Sequence, residues 1–200
     1  MKKTLLPLLL VAAPLSAQSF EAGLFIGQQS YKSFSDAGLT AEPAKKTVAG
    51  VRFGYSLVDL GPALLQVTAG YQPESKTGIE VNGTAVPGFD FTQKHWSVGA
   101  MFNFKAFVAI GAGVEYRSES LGVKGPLTDI STTYGRPWAR ANVGFAFPTP
   151  IVKPFIGLEV ALPLTSTSPS TAEYFGPDDA VSLKAHAPKM QIGVYGGIRF

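Results

Sequence analysis

Three features are scarce in this chain of 200 residues, and the first is cysteine, which is absent. Without cysteine the chain has no disulfide framework, no thiolate metal ligands and no cysteine nucleophile. Long apolar runs are also missing, because nothing after the first twenty residues approaches the roughly 18 consecutive apolar side chains of a membrane-spanning helix. A helical membrane protein is therefore not expected from the body of the chain.

The first residues have the layout of an address for secretion. Lys2 and Lys3 form a basic start, and an apolar run follows from Leu5 to Leu15. Ala17-Gln18-Ser19 then provides small residues in the spacing of a cleavage site, which predicts a signal peptide over 1–19. No cysteine follows the apolar run, which argues against a lipoprotein anchor.

Excess charge of one sign is the third scarce feature. Loss of Lys2 and Lys3 with the signal peptide reduces the 17 basic side chains to 15, against 14 acidic ones. No basic stripe remains to attract a phosphate backbone. We therefore expect no nucleic-acid partner.

Glycine, by contrast, is abundant, with 22 residues in the chain against a usual level of about 7%. Helices disfavour glycine, and apolar side chains here recur at every second position, which is the pattern of a β-strand. The segment 190–200 shows it clearly, since Met190, Ile192, Val194, Ile198 and Phe200 alternate with polar residues or glycine. Eight segments share this alternation: 20–28, 47–57, 62–72, 94–104, 107–117, 138–147, 154–162 and 190–200.

The connections between these segments alternate strictly between short and long. The long ones cover 29–46, 73–92, 118–135 and 165–187, and Asn82-Gly83 marks a hairpin tip. Each predicted strand has about the 9 to 11 residues that a tilted strand needs to cross a bilayer. The pattern predicts an all-β fold, an eight-stranded antiparallel up-and-down barrel with its long loops at one end.

Such a barrel could have either face of its strands outward. In a water-soluble barrel the apolar face points inward and the other face is solvated, but here the second face is rich in glycine and makes a poor solvent coat. The large apolar-face side chains also separate by height, as in the two girdles of a transmembrane barrel. The short-turn end receives Phe20, Tyr55, Leu57, Phe102, Phe104, Phe145, Phe147 and Phe200, and the loop end receives Tyr71, Trp96, Tyr116 and Met190.

With these features the chain resembles the small eight-stranded outer-membrane β-barrels of diderm bacteria, such as the OmpA-type, OmpX-type and OmpW-type proteins. The resemblance covers 20–200 as a single domain. Val194, Ile198 and Phe200 match the terminal-strand assembly signal of that family, although the family favours an aromatic residue where Ile198 stands. The resemblance implies a cell outer membrane location and a monomer. It also implies outer-membrane lipid, lipopolysaccharide and the barrel assembly machinery as partners.

Several charged side chains fall on the inward face. Arg52, Arg117 and Arg199 point into the lumen, and turn centres near residues 105 and 149–150 place His95 opposite Glu115 and Arg140 opposite Glu159. A charge in a narrow barrel must be paired, so a structural polar network is expected. A polar path or a small ligand site in the lumen is the alternative.

No catalytic residue, cofactor or metal site is predicted. His95, Ser97 and Glu115 include a base, a hydroxyl and a carboxylate, but they face the lumen, and no Gly-x-Ser-x-Gly elbow is present. His186 has no second ligand at metal spacing. We expect a structural or surface-interaction role, or slow passage of small solutes. The alternatives are transport of small or hydrophobic compounds through the barrel and lipid A modification.

Overall fold

The computed structural model describes residues 20–36, 38–105, 108–126, 128–147, 149, 151–167 and 183–200. The predicted signal peptide lies outside these residues. No helix in the described ranges is long and apolar enough to span a membrane. The elements are β1 (Phe20–Tyr31), β2 (Phe34–Asp36), β3 (Leu39–Pro43), β4 (Lys46–Asp59), β5 (Ala63–Val81), β6 (Thr84–Lys105), β7 (Ala109–Gly125), β8 (Thr128–Ala146), β9 (Lys153–Pro163), a 3-10 helix (Leu183–His186) and β10 (Pro188–Arg199).

Eight of these strands close into a ring. The order around the ring is β1, β4, β5, β6, β7, β8, β9 and β10, and every neighbouring pair is antiparallel. Closure comes from β1 and β10, which pair from Glu21↔Arg199 to Gln29↔Gln191. Where the eight strands overlap in height the ring leaves no open sheet edge, whereas residues 128–136 of β8 pair with β7 alone. The predicted eight-stranded antiparallel barrel is confirmed.

The wall of the barrel is much taller on one side. Strands β5 to β8 have 17 to 22 residues, whereas β1, β4, β9 and β10 have 11 to 14. The prediction of loops over 73–92 and 118–135 is therefore wrong, because most of those residues extend the two hairpins. The apolar alternation does not extend over these residues because their outer side chains are polar. A strand that continues beyond the apolar zone of the barrel wall needs no apolar outer face.

The other two predicted loops also contain regular structure. Residues 29–46 include the hairpin of β2 and β3, and β3 pairs with β5 through Ala41↔Val81. The 3-10 helix occupies the end of 165–187, and residues 168–182 of that loop lie outside the described ranges.

The tip of the β5–β6 hairpin lies where the sequence predicts it. Val81 pairs with Thr84, and the two residues between them, Asn82 and Gly83, have φ angles of 50° and 76°. Positive φ at both central positions defines the turn that matches the twist of a two-residue hairpin.

Neighbouring residues on one strand show how sharply the two faces differ. Leu158 is 59% exposed on the outside, whereas Glu159 is 2% exposed in the lumen. The predicted outward aromatic residues are exposed at the two heights, except Tyr55, which is half-buried against Phe20 with ring centroids 5.1 Å apart. Aliphatic side chains occupy the outer face between the two heights.

Glycine on the inner face makes room for the lumen side chains. Gly99 lies directly opposite Glu115, and a Cβ at Gly99 would lie 2.6 Å from the Cβ of Glu115. A Cβ at Gly23 would lie 2.8 Å from the ring of Tyr195. Because an eight-stranded bore is only wide enough for side chains, these glycines decide which large residues fit.

Candidate functional site in the barrel lumen

A chain of ion pairs runs across the middle of the lumen. The Arg52 Nη1 atom lies 2.5 Å from Glu159 Oε2, and Arg140 Nε lies 3.7 Å from the same oxygen. Arg140 Nη1 also lies 2.9 Å from Glu115 Oε2, and Arg117 Nε lies 2.6 Å from Glu115 Oε1. We call these five residues the central network. Each carboxylate in it serves two guanidinium groups.

The central network spans the bore rather than following its wall. Arg52 is on β4 and Glu159 is on β9, and β1 and β10 separate these strands in the ring. Arg140 on β8 similarly reaches Thr68 on β5, with 3.4 Å between Nη2 and Oγ1. Side chains from opposite walls therefore meet in the centre, which fills the bore at this height.

The predicted partners within this network require correction. Glu115 lies opposite Gly99, and His95 lies opposite Glu119, so the predicted pairing of His95 with Glu115 is wrong. Lys105, the predicted turn centre, is still paired in β6 and lies opposite Ala109, so the register of the two strands differs from the predicted one. Sequence alternation fixes the face of each residue but not this shift along the strand.

The predicted pairing of Arg140 with Glu159 across β8 and β9 is also wrong in register. Arg140 lies opposite Ala161, and Glu159 lies opposite Asn142. Long side chains nevertheless reach diagonally, so that Arg140 and Glu159 contact each other at 3.7 Å while the shorter contact of Glu159 is with Arg52.

His95 belongs to an amide cluster above the central network. Its Nδ1 atom lies 3.2 Å from Gln93 Nε2, and Gln72 donates from Nε2 to Gln93 Oε1 at 2.6 Å. Gln72 also contacts Gln29 and accepts from Gln191. Among the described residues, no hydrogen bond joins His95 to Ser97 or Glu115, so the three do not form a nucleophile, base and carboxylate relay.

A separate cluster lies at the short-turn end. Arg199 Nη2 lies 2.5 Å from Glu21 Oε2, and Tyr195 donates its hydroxyl hydrogen to Glu21 Oε1. Gln66 donates to Glu21, and Asn103 donates to Gln66 at 3.0 Å. These side chains line a vestibule of about 50 Å³ at this end of the barrel.

Toward the tall end, the central network continues into an aromatic and cationic cluster. Arg136 Nε lies 3.0 Å from Glu119 Oε2, and Tyr134 donates to that carboxylate at 2.6 Å. Trp138 is fully buried beside the guanidinium groups of Arg117 and Arg136. Glu119, Arg136 and Trp138 are absent from the predicted network, although they continue the inward alternation of Glu115, Arg117 and Arg140.

An apolar cluster covers the tall end of the lumen. It contains Tyr31, Phe91 and Leu121 from the barrel, together with Leu183 and Ala187 around the 3-10 helix. The Lys32 amide, directly after β1, donates to Ala187 O at 3.1 Å and attaches this segment to the barrel. Thr167, in the connection after β9, donates to Lys184 O at 2.9 Å. We call residues 183–187 the plug.

Burial by the plug changes the titration of nearby groups. Desolvation raises the pKa of Tyr31 to about 12 and lowers the pKa of His186, whose Nδ1 lies 3.4 Å from Lys32 O. Desolvation also raises the pKa of Tyr134, and the neighbouring Glu119 carboxylate raises it further. Burial therefore disfavours the charged form of all three side chains.

The residues of the predicted assembly signal, Val194, Ile198 and Phe200, all lie on the outer face. Within the described ranges, no group of three or more acidic or histidine side chains could hold a metal ion. The predicted inward residues Arg52, His95, Glu115, Arg117, Arg140 and Glu159 are buried, and Arg199 is partly buried near the rim.

Comparison with known proteins gives a match in fold alone. No family model and no curated protein matches the chain. Among solved structures, a major outer membrane protein from Thermus thermophilus has a TM-score of 0.56 at 13% identity, covering 92% of this chain and 99% of that one. Neisserial surface protein A has a TM-score of 0.52 at 13% identity, covering 92% and 98%.

A third similar structure is Ail, the attachment invasion locus protein of Yersinia pestis, in complex with the heparin analogue sucrose octasulfate. Its TM-score is 0.51 at 12% identity, covering 92% of this chain and 99% of that one. The chain therefore has the fold of small outer-membrane β-barrels over almost its whole described length.

Proposed function

We propose that the protein is an integral, monomeric barrel of the outer membrane that acts through its exposed tall end rather than through a pore. The observation that carries the membrane assignment is the apolar outer face, which continues around the ring while every strongly buried ion pair lies inside. A soluble monomer rarely exposes an apolar patch larger than a few hundred Å². Lipid is the environment that matches this surface.

The route to the membrane follows from the two ends of the chain. Residues 1–19 would direct export and be removed. The exposed Val194, Ile198 and Phe200 on the closing strand would present the assembly signal to the barrel assembly machinery. Outer-membrane lipid, including lipopolysaccharide, would then surround the aromatic and aliphatic belt.

Cell fractionation combined with gel mobility tests this proposal. The full chain, expressed in a diderm bacterium, is expected in the outer-membrane fraction. Unboiled and boiled samples should migrate differently, because a closed barrel resists detergent until it is heated. Recovery of the protein in a soluble fraction, with one mobility before and after boiling, would contradict the proposal.

The filled lumen supports a surface role over transport. The central network crosses the bore, and the apolar cluster covers its tall end. Above the belt, the extended β5–β8 wall and the β2–β3 hairpin offer a polar surface outside the membrane. Ail shares this fold, and the name of that protein describes attachment and invasion.

Conductance separates these two roles. In planar bilayers, the parent protein is expected to give no current steps, whereas Glu159→Gln and Arg140→Gln, which loosen the central network, should give rare small steps. Regular steps from the parent would favour transport. A lipid A deacylation assay is expected to show no activity in either the parent or Ser97→Ala, and activity lost with Ser97 would favour an enzyme.

A further inference from the structure

One tryptophan in the lumen is surrounded by cationic groups. The Arg117 Cζ atom lies 4.0 Å from the centroid of the Trp138 ring, and Arg136 Cζ lies 4.8 Å from it. Arg117 and Arg136 are direct partners across β7 and β8. Two guanidinium groups and an indole therefore share one small region of the bore, between the central network and the plug.

Each of these three side chains has an unpaired N–H donor there. Arg117 Nη2, Arg136 Nη1 and Trp138 Nε1 are buried, and no acceptor among the described residues bonds to any of them. A buried donor without an acceptor is destabilising, and native proteins contain few. Three such donors on neighbouring side chains indicate a place for an acceptor that the protein does not provide.

The charge balance of the lumen also leaves an excess of positive charge in this region. The charged side chains that point into the described lumen include four glutamates and five arginines. The glutamates are Glu21, Glu115, Glu119 and Glu159, and the arginines are Arg52, Arg117, Arg136, Arg140 and Arg199. Glu21 balances Arg199, and Glu119 balances Arg136. The central network is left with three guanidinium groups and two carboxylates, and it ends at Arg117 beside Trp138.

A surplus positive charge in this position is costly. Arginine does not lose its proton in proteins, and an uncompensated buried charge is strongly destabilising. One negative charge would balance the lumen and would accept from the three donors. A divalent or bulky anion fits less well, because it would reverse the imbalance and the bore is narrow.

We propose that Arg117, Arg136 and Trp138 bind a small monovalent anion, a halide, inside the barrel. The guanidinium groups supply charge-assisted hydrogen bonds, and the indole supplies a third donor. The bound anion completes the charge balance of the central network and fixes Arg117 against the tryptophan ring. This inference concerns the lumen alone and does not depend on the role of the exposed surface.

Crystals of the detergent-solubilised protein grown in sodium bromide test the site through the anomalous signal of bromine. The parent should show a peak in contact with Arg117, Arg136 and Trp138. R117Q removes the surplus charge and one donor, and should bind bromide about tenfold more weakly or worse, as expected for the loss of a charged hydrogen bond. R199Q changes the charge-balanced pair of Arg199 with Glu21 at the short-turn end, far from the proposed site. This variant should retain the peak.

Thermal melting provides a second readout in the same variants. At equal ionic strength, sodium bromide should raise the melting temperature of the parent and of R199Q above that in sodium gluconate, with no such difference in R117Q. If R117Q does not fold, W138F keeps a ring and loses one donor, and should show a smaller bromide effect. A parent without a peak, a peak that persists in R117Q, or a peak lost in R199Q as well would overturn the assignment.

Discussion

At the scale of single residues, stability of the lumen depends on carboxylates that serve more than one partner. Glu159 contacts both Arg52 and Arg140, and Glu115 contacts both Arg140 and Arg117. Removing either carboxylate leaves the three guanidinium groups of the central network with a single carboxylate. Such a loss is expected to cost more than the loss of an isolated surface pair.

Glu159→Gln tests this dependence. We expect the free energy of unfolding to fall by about 3–5 kcal/mol, the usual cost of leaving a buried charge unpaired. Urea unfolding in lipid vesicles measures it. Glu42→Gln on β3 is the matched control, because Glu42 is exposed, and it should change stability by less than about 0.5 kcal/mol. Equal effects of the two substitutions would argue against a network held by Glu159.

At the scale of elements, the register of β6 against β7 decides which residues meet in the lumen. Lys94 lies opposite Ser120 on the outer face above the belt. The register predicted from the sequence would instead place Lys94 opposite Tyr116. The two alternatives differ by four residues along β7, or about 13 Å of strand.

Engineered disulfides distinguish these registers, and the chain offers a clean background because it contains no cysteine. The variant K94C/S120C should form a disulfide on mild oxidation, since directly opposed residues bring their Cβ atoms within bonding range. K94C/Y116C is the control for the other register and should remain reduced. Mobility on a non-reducing gel reports the outcome, and the reverse pattern would refute the register described here.

The plug is a second element whose stability should vary with pH. Burial lowers the pKa of His186 below its usual value of 6.5, so the unfolded segment binds a proton more readily than the packed one. The stability that the neutral, buried His186 gives to the packed plug is therefore fully present above about pH 6.5. This stability is lost as the pH falls through that value toward the lower pKa of the packed state.

Hydrogen exchange at the Lys32 amide, which donates to Ala187 O, measures attachment of the plug. Its protection factor, corrected for intrinsic rates, should be lower at about pH 5 than at about pH 7.5. His186→Phe should remove most of this dependence. A protection factor that does not change with pH in the parent would show that His186 does not couple to the plug.

Sequence patterns were informative for elements to different degrees. Alternation located all eight barrel strands and the face of each residue, because a lipid-facing belt requires an apolar residue at every second position. It missed the upper halves of β5 to β8, where the apolar outer face ends and outward side chains such as Ser120 and Thr133 are polar. It placed Trp138 and Tyr195 on the inward face, but it gave no signal that these aromatic side chains contact the charged groups of the lumen.

Register could not be read from the same pattern. A shift by an even number of residues keeps every side chain on its face, so alternation is satisfied equally by His95 opposite Glu115 or, four residues away, opposite Glu119. The pairing of Lys105 with Ala109 identifies the register that the two strands adopt. Contacts across the bore, such as Arg52 with Glu159, depend on the curvature of the whole ring and have no local signal.

At the scale of the whole molecule, the barrel places its apolar surface outside and its charges inside. Leu24, Val114 and Leu158 are more than half exposed, while Glu115 and Glu159 are buried between the same walls. Two aromatic girdles bound this belt, and the polar wall rises beyond one of them. The arrangement matches a bilayer flanked by water on both sides.

The measurement that tests this orientation most directly uses spin labels in lipid vesicles. Single cysteines introduced by Leu24→Cys, Val114→Cys and Leu158→Cys would carry the label within the belt, and Thr133→Cys, on the exposed upper wall, would serve as the control. Belt labels should collide more often with oxygen, which concentrates in lipid, than with a water-soluble nickel chelate, and the control should show the opposite preference. Belt labels that collide mainly with the nickel chelate would contradict a lipid-facing outer surface.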